Sequence, residues 1–435
     1  MYKLFKNLNQ SQALHNSIIV IMLIFFYYKL FFEFLIPITG DELNSILVYS
    51  SNIKTLLLKN FPGNVVFFHF IGYIKLQIFG NDLVTYRSLT YLFLILHFVI
   101  FKKIDKNNLA ILLFLFFTIN SNIALYSSFY YGYIFTSLIY VLIYYLLKNN
   151  NFEKHSKWIL LLLFLQTYNH LVNIYLSIPI MISLFFYYNK KKFLKDWLYF
   201  YFVPSFIFYL ISAILTGISL LKIQDTSFIN VAAIIFNDFY ELFLSGFNKI
   251  FFYEAYQNVS HFNIVFFLEQ IFLYDKIIFL TLILSVLIAI YNLRSNKLPK
   301  IFSLIILFHV VLFFLINKMP APRILTGFYA FYFLFIYSYF SKYKIVNSKI
   351  LNTLMLVVLS LNLFNFDYLK RVSSSIFIRD VTFEENELSI KLLSTKCILE
   401  NNNFSEIQKR NFYFNYINIC KRKYNLTEFL KFYRS

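Results

Sequence analysis

Residues 16–36, NSIIVIMLIFFYYKLFFEFLI, run directly into residues 37–42, PITGDE. An apolar stretch of about 20 residues is long enough to cross the hydrocarbon core of a bilayer as a helix. Asp41 and Glu42 come just after this stretch, and ionised carboxylates beside a bilayer are costly to keep and usually functional. The segment therefore predicts a first membrane span with polar chemistry at its outer mouth.

The rest of the chain has the same apolar character. Hydrophobic residues make up 59% of the 435 residues and charged residues only 14%, which is far from the composition of an ordinary soluble domain. We therefore expect an all-α, polytopic membrane protein of about eleven transmembrane helices. The predicted spans are 16–36, 84–101, 108–124, 126–147, 158–169, 170–188, 197–216, 276–292, 300–317, 324–341 and 349–366. The pair 158–169 and 170–188 is predicted to turn at Asn169-His170.

The net charge of +19 does not indicate a nucleic-acid partner. The Lys and Arg residues lie mostly in short loops between the apolar runs. That distribution is typical of the positive-inside rule for membrane proteins and not of a phosphate-binding patch. We therefore expect membrane lipids, and no nucleic acid, among the partners.

Residues 62–80, PGNVVFFHFIGYIKLQIFG, are apolar enough to be counted as a further span. If they cross, the loop at Lys102 and Lys103 falls on the side opposite to Lys3 and Lys6. If they lie in the interface or re-enter, every short basic loop falls on one side, as the positive-inside rule prefers. The sequence therefore favours a segment that does not cross, lying in the plane of the membrane.

This arrangement puts the amino terminus inside and two long loops, 37–83 and 217–275, on the outer face. Residues 232–252 carry polar side chains on one helical stripe, which is typical of a helix lying in the interface. Residues 1–366 would form the transmembrane domain, and residues 367–435 a small tail on the outer face.

The tail is charged, rich in Asn and carries both cysteines of the chain, Cys397 and Cys420. An outer location permits a disulfide between them. Two free buried thiols are the alternative. The tail is too short for a catalytic domain of its own, so we expect the chemistry to belong to the transmembrane domain.

Four motifs follow one another over about the first 190 residues. They are Gly40-Asp41-Glu42 after the first span, FGNDLVTYRSL at 79–89, NIALYS at 122–127 leading to Tyr133, and TYNHL at 167–171. In order and spacing they resemble the GT-C glycosyltransferases, in the branch of the protein O-mannosyltransferases and the bacterial lipid A aminoarabinose transferases. A further similarity lies at 318–340. The chain departs from the family pattern at Phe61-Pro62-Gly63, where His-Pro-Pro is usual, and at Ser45, where an aromatic residue often stands.

The resemblance implies a transferase of the bacterial inner membrane with its active site facing the periplasm. Such an enzyme moves a sugar from a polyprenyl-phosphate donor to a hydroxyl of a lipid, glycan or protein acceptor. Asp41 would be the general base, and Glu42 would either orient it or help hold a divalent cation, the one cofactor to consider. Arg87 and Arg323 would bind the donor phosphate, because a guanidinium group matches phosphate oxygens with two hydrogen bonds.

Four further residues are candidates for a substrate cavity on the outer face: His69, Tyr126, Tyr133 and His170. His69 is part of an i, i+4, i+8 stripe with Tyr73 and Gln77 that could face this cavity.

Each candidate also has a structural interpretation. Asp41 is placed to cap a helix that begins at Glu42, and Arg87 to anchor its own span at the interface. Arg323, after Pro320-Ala321-Pro322, could be a turn residue, and His170 a hydrogen-bonded turn histidine.

Two other classes of function compete with a transferase. A lipid-linked saccharide flippase or polymerase would also be polytopic, but a flippase lines its central spans with charged residues or broken helices. The spans after the first lack central charges here, which favours the transferase. A membrane scaffold without catalytic activity is the third class, and it predicts no loss of activity when Asp41 is changed.

Overall fold

The computed structural model describes residues 66–79, 83–105, 109–119, 130, 132–148, 152–169, 173–208, 264–296, 298–316 and 325–342, with a few isolated positions. These residues are about 94% helical and include no strand, so the all-α class is confirmed. The spans predicted at 16–36 and 349–366 lie outside the described residues. So do the interfacial segment at 232–252 and the tail with its two cysteines.

Eleven α-helices make up most of the described part of the chain. They are α1 Val66–Phe79, α2 Leu83–Ile104, α3 Leu109–Ile119, α4 Tyr133–Lys148, α5 Phe152–Asn169, α6 Ile174–Tyr187, α7 Lys190–Trp197, α8 Ile264–Tyr274, α9 Lys276–Ser295, α10 Lys300–Ile316 and α11 Leu325–Ser341. Each span predicted between residues 84 and 341 contains a helix. The helix α5 ends at Asn169, the first residue of the turn predicted at Asn169-His170, and His170 lies outside the described residues. The helix α8 falls inside the predicted outer loop 217–275 and was not predicted.

Local chemistry sets both ends of α9. The Asp275 carboxylate accepts hydrogen bonds from the backbone N–H groups of Ile277 and Ile278, at 2.8 and 3.0 Å. These groups have no partner within the helix, so Asp275 is an N-cap. At the other end Asn296 adopts a left-handed backbone with φ of 53°, a conformation that Asn tolerates better than most residues.

Two prolines explain the irregular helices. Pro179 lies inside α6, where it removes one backbone hydrogen bond. Pro204 follows the π-helical turn Leu198–Phe202, in which the N–H of Val203 reaches back to the carbonyl of Leu198. The wider π turn relieves the clash that a proline ring makes with the carbonyl of a tighter α turn, so the chain continues helical through residues 203–208.

The helices α2, α4 and α11 run in the same direction. From α2 to α4, Nε2 of His97 lies 2.9 Å from Oγ of Ser137, and further along Nζ of Lys148 lies 3.5 Å from the carbonyl oxygen of Ile104. From α4 to α11, the Tyr144 hydroxyl donates to the carbonyl of Leu334. The helices α3, α5 and α10 run the opposite way, so the bundle has two distinct ends.

Four short connections lie at one end of this bundle. They join α2 to α3, α4 to α5, α6 to α7 and α9 to α10. Every described Lys and Arg except Lys75, Arg87 and Lys276 lies in or within two turns of these connections or at the end of α11. We call this the basic end. Its helix directions agree with the expectation that the short basic loops lie together.

The helix α1 does not extend to the basic end. Residues 80–82 join it to α2. Phe68 and Phe93 stand about ten residues before and after this connection, and their ring centroids lie 6.0 Å apart. The two helices therefore run side by side in opposite directions. Phe93 also contacts Phe135, near the start of α4, so α1 and the first half of α2 project beyond α4 at the end opposite the basic end. Whether residues 62–80 cross the membrane, lie in its plane or re-enter it stays a prediction.

Aromatic side chains fill much of the bundle core. Phe114 of α3 contacts Phe101 of α2 and Phe333 of α11, with ring centroids 4.9 and 5.4 Å apart and edge-to-face geometry. Tyr144 of α4 stacks on Phe302 of α10 at 4.6 Å. Edge-to-face and offset stacks are the favourable geometries for aromatic pairs. The many Phe and Tyr residues of the sequence therefore serve packing here.

Large apolar side chains also cover much of the outer surface. Leu92, Leu96 and Val99 form one exposed stripe along α2, and Phe70, Ile74 and Ile78 form another along α1. Soluble monomers rarely expose contiguous apolar patches of this kind. Among the described residues α9 is long and apolar enough to cross a membrane, and only 28% of its apolar window is buried.

Candidate functional site

The structure describes three of the residues predicted for the site: Arg87, His69 and Tyr133. All three lie at the end of the bundle opposite the basic end. The remaining candidates lie outside the described residues: Asp41, Glu42, Tyr126, His170 and Arg323. The assignment of a base and of a second phosphate ligand therefore stays a prediction.

Arg87 lies one turn into α2 and is completely buried, with 0% of its surface exposed. It precedes Phe93 by six residues and so lies about 9 Å further from the basic end. An interfacial anchor keeps its charged group at the surface, in the headgroup region. The full burial of Arg87 argues against the role of an interfacial anchor. A buried guanidinium group is stable inside a protein only when partners compensate its charge.

His69 is buried on α1 beside Phe68 and Tyr130, with its ring centroid 6.0 Å from that of Tyr130. The preceding residue of α1 binds the end of α5, because the N–H of Phe68 donates to Oδ1 of Asn169 at 3.1 Å. This contact brings His69 close to the point of the chain that precedes His170.

The predicted polar stripe of α1 becomes more exposed along the helix. His69 is buried, Tyr73 is half-buried and Gln77 is exposed. The reason is that α1 packs on the bundle mainly through its first half, while its last residues project from it. The expectation that all three face one cavity stays a prediction.

Tyr133 begins α4 and lies against the start of α11. A Cβ atom placed on Gly327 would lie 3.7 Å from the carbonyl oxygen of Tyr133 and only 2.9 Å from Cγ2 of Thr136. The two helices therefore approach so closely that a side chain at residue 327 has no room.

A buried network of side-chain amides connects these elements. Its centre is Thr136, whose carbonyl accepts from Nε2 of Gln166 at 2.6 Å. The Thr136 hydroxyl oxygen lies 3.0 Å from Nδ2 of Asn169 and 3.4 Å from Nδ2 of Asn173. We call Thr136, Gln166, Asn169 and Asn173 the amide cluster.

The amide cluster is extended by hydrogen bonds within α5 and to α6. Nδ2 of Asn173 donates to the carbonyl and to Oε1 of Gln166, at 2.9 and 3.1 Å. The Tyr140 hydroxyl donates to the carbonyl of Asn173 at 2.8 Å. These contacts fix the end of α5 and the start of α6. None of the four members titrates near neutral pH, so the cluster can position other groups but cannot act as an acid or a base.

Sequence reasoning did not find the amide cluster. The available signal was Gln166, a polar residue that ends the apolar run ILLLLFLQ at 159–166. A lone polar residue inside an apolar helix often bonds to a neighbouring helix. Its partners on α4 could not be predicted without the packing of the helices.

No group of three or more metal-binding side chains of His, Cys, Asp or Glu occurs among the described residues. Asp41 and Glu42, the pair predicted for a divalent cation, lie outside them. Comparison with protein-family models, with curated proteins and with solved structures finds no match to this chain.

Proposed function

We propose that this chain is a multi-pass membrane glycosyltransferase that uses a polyprenyl-phosphate-linked sugar at the end of the bundle opposite its basic end. The observation that carries the proposal is the complete burial of Arg87 at that end. The motif order that resembles the GT-C glycosyltransferases, in which Arg87 follows the Asp-Glu pair, gives this burial a chemical reason.

Membrane insertion is supported by the exposed apolar stripes of α1 and α2 and by the long apolar helix α9. The basic connections at one end give the orientation, because Lys and Arg in short loops remain on the cytoplasmic side. Arg87 and the amide cluster would then face the outer side. This is the side on which a lipid-linked donor presents its sugar to an acceptor outside the cell.

The proposed reaction transfers the sugar in one displacement. An acceptor hydroxyl oxygen forms a bond to the anomeric carbon while the bond from that carbon to the phosphate oxygen of the donor breaks. The hydroxyl proton passes to the carboxylate of Asp41, and the electron pair of the broken bond stays on the departing lipid phosphate. Arg87, with Arg323, stabilises the charge that develops on this phosphate.

The amide cluster supports this site by holding its frame. It joins α1, α4, α5 and α6 at the end where Arg87 lies, through hydrogen bonds that are buried. Catalytic groups must be held close to their productive geometry, and buried hydrogen bonds supply that rigidity.

The test is transfer of labelled sugar from a panel of polyprenyl-phosphate donors by membranes that contain the chain. Wild type is compared with Asp41→Asn, which keeps the shape of the carboxylate and removes its basicity. We expect the variant to lose about 10²-fold or more in rate at equal protein level. Equal rates for both proteins would indicate that Asp41 caps a helix and is not the general base. Translocation of the donor without sugar transfer would favour a flippase. The absence of both transfer and translocation with every donor would refute the proposal.

A further inference from the structure

Four lysines gather where α2, α4 and α11 end at the basic end. Lys102 and Lys103 stand in the last turn of α2, Lys148 is the last residue of α4, and Lys342 follows α11. We call them the lysine surface. The proposed reaction does not use it, because Arg87 lies at the other end of the bundle.

One carboxylate holds the frame of the lysine surface. Oδ2 of Asp105 accepts a hydrogen bond from the Tyr337 hydroxyl of α11 at 2.6 Å and from the N–H of Ala110 in α3 at 3.0 Å. These bonds tie the turn after α2 to two other helices. These bonds therefore hold the end of α2, which carries Lys102 and Lys103, against α3 and α11.

Lys148 is half-buried between its neighbours. Its Nζ atom reaches the carbonyl oxygen of Ile104 at 3.5 Å, the upper limit for a hydrogen bond, so this bond is weak. Lys148 also interacts electrostatically with Asp105, which is favourable, and with Lys342, which is repulsive. A half-buried ammonium group beside a like charge gains free energy when an anion binds between them.

The charges of the helix ends do not balance the four lysines. Each of the three helix C-termini carries roughly half a negative charge and the N-terminus of α3 roughly half a positive charge. When the negative charge of Asp105 is counted as well, about two of the four lysine charges are not compensated. Capping of helix ends therefore explains only part of the lysine surface.

The surface beside these charges is apolar and regularly spaced. Leu92, Leu96 and Val99 are 48%, 38% and 54% exposed, and Lys103 continues the same i, i+4, i+7 stripe of α2. Nζ of Lys103 lies 6.0 Å from the ring centroid of Tyr145 on α4. An elongated apolar track that ends in ammonium groups has the shape of an acyl chain with an anionic headgroup.

We propose that the lysine surface binds the phosphate headgroup of an anionic membrane lipid, with an acyl chain along the exposed stripe of α2. This inference rests on the proposed membrane location. A lipid is favoured over a free phosphate ion because the apolar track continues directly from Lys103. Basic pockets between membrane helices on the cytoplasmic side are suited to such headgroups.

The experiment measures binding to the purified full-length chain in a zwitterionic detergent. Dioctanoyl-phosphatidylglycerol is titrated, with dioctanoyl-phosphatidylcholine and inorganic phosphate as parallel probes, and the midpoint of thermal unfolding is followed. Each lysine near a headgroup contributes about a fivefold change in affinity. Lys148→Gln and Lys103→Gln should therefore each weaken phosphatidylglycerol binding about fivefold, and Lys148→Arg should retain it.

Lys195→Gln is the matched control, since Lys195 is an exposed lysine of α7 at the same end but outside the lysine surface. Its affinity should equal that of wild type. Unchanged affinity in Lys148→Gln, an equal loss in Lys195→Gln, or saturation by inorganic phosphate alone would each overturn the inference. Release of the chain from membranes by alkaline carbonate would overturn the membrane proposal as well, so the two failures can be told apart.

Discussion

Replacement of Gly327 by Ala tests the close approach of α4 and α11 at the proposed site. The added methyl group would lie 2.9 Å from Cγ2 of Thr136, well inside van der Waals contact. Relief requires the Thr136 side chain or one of the two helices to shift, and overpacking of this kind costs about 1–3 kcal/mol. An unobstructed helical site would respond in the opposite direction, because Ala is favoured over Gly in a helix by about 1 kcal/mol. The sign of the change in unfolding free energy therefore decides the question.

A second substitution identifies the atom responsible. Thr136→Ser removes Cγ2 and keeps the hydroxyl that lies within hydrogen-bonding distance of Asn169. The next nearest atoms to the added methyl are 3.4 and 3.7 Å away, which is ordinary contact. In the Thr136→Ser background, Gly327→Ala should therefore be neutral or stabilising by up to about 1 kcal/mol. The coupling between the two sites should be of the order of 1–3 kcal/mol.

The assay is reversible unfolding of the four proteins of this cycle in mixed micelles of dodecylmaltoside and dodecylsulfate, followed by helical circular dichroism. Thr136→Ser alone serves as the control for loss of a methyl group, about 0.8 kcal/mol. A stabilised Gly327→Ala variant would refute the close packing of α4 on α11. A cost that persists unchanged in the Thr136→Ser background would refute the assignment to Cγ2.

Three further predictions concern the site and its orientation. Arg87→Ala should lose donor binding and turnover, and Arg87→Lys should not restore them, because an ammonium group cannot form the two parallel hydrogen bonds of a guanidinium group. Arg323→Lys should show the same defect in a milder form. Wild-type donor affinity and activity in Arg87→Lys would indicate that Arg87 is only an interfacial anchor. Asn169→Ala should destabilise the protein by about 1–3 kcal/mol, since it leaves the buried N–H of Phe68 without an acceptor; unfolding at the wild-type midpoint would contradict this. Cysteines introduced at Lys103 and Asn402 should react with impermeant reagents from opposite sides of the membrane, and labelling of both from one side would contradict the predicted topology.

The sequence predicted helix positions well because apolar runs and helices coincide in this chain. The spans 276–292 and 300–317 correspond closely to α9 and α10. The sign of the loop charges was equally informative, since Lys and Arg mark the connections that meet at the basic end. Both signals are local in sequence, so they can be read without knowledge of the packing.

Contacts between helices could not be predicted in the same way. The amide cluster depends on which face of α5 meets α4, and nothing in the run 159–166 specifies the partner of Gln166. The same holds for His309, whose Nδ1 bonds to the Tyr332 hydroxyl across α10 and α11. For α1, the charge pattern favours a segment that does not cross, and this stays a prediction, while its packing beside α2 could not be predicted from the sequence.

The two ends of the bundle hold positive charge in different ways, and this difference bears on where phosphate chemistry can occur. At the basic end the lysines are mostly exposed, so their fields are screened by water and salt. Arg87 is fully buried, and a charge in such surroundings acts on a developing phosphate charge more strongly than one in water. A leaving group needs a fixed positive charge that requires little reorganisation during the reaction, which a buried guanidinium group supplies and a flexible surface lysine does not. Exposed lysines suit the reversible binding of abundant lipid headgroups. On these physical grounds we propose transfer at the Arg87 end and lipid binding at the lysine surface.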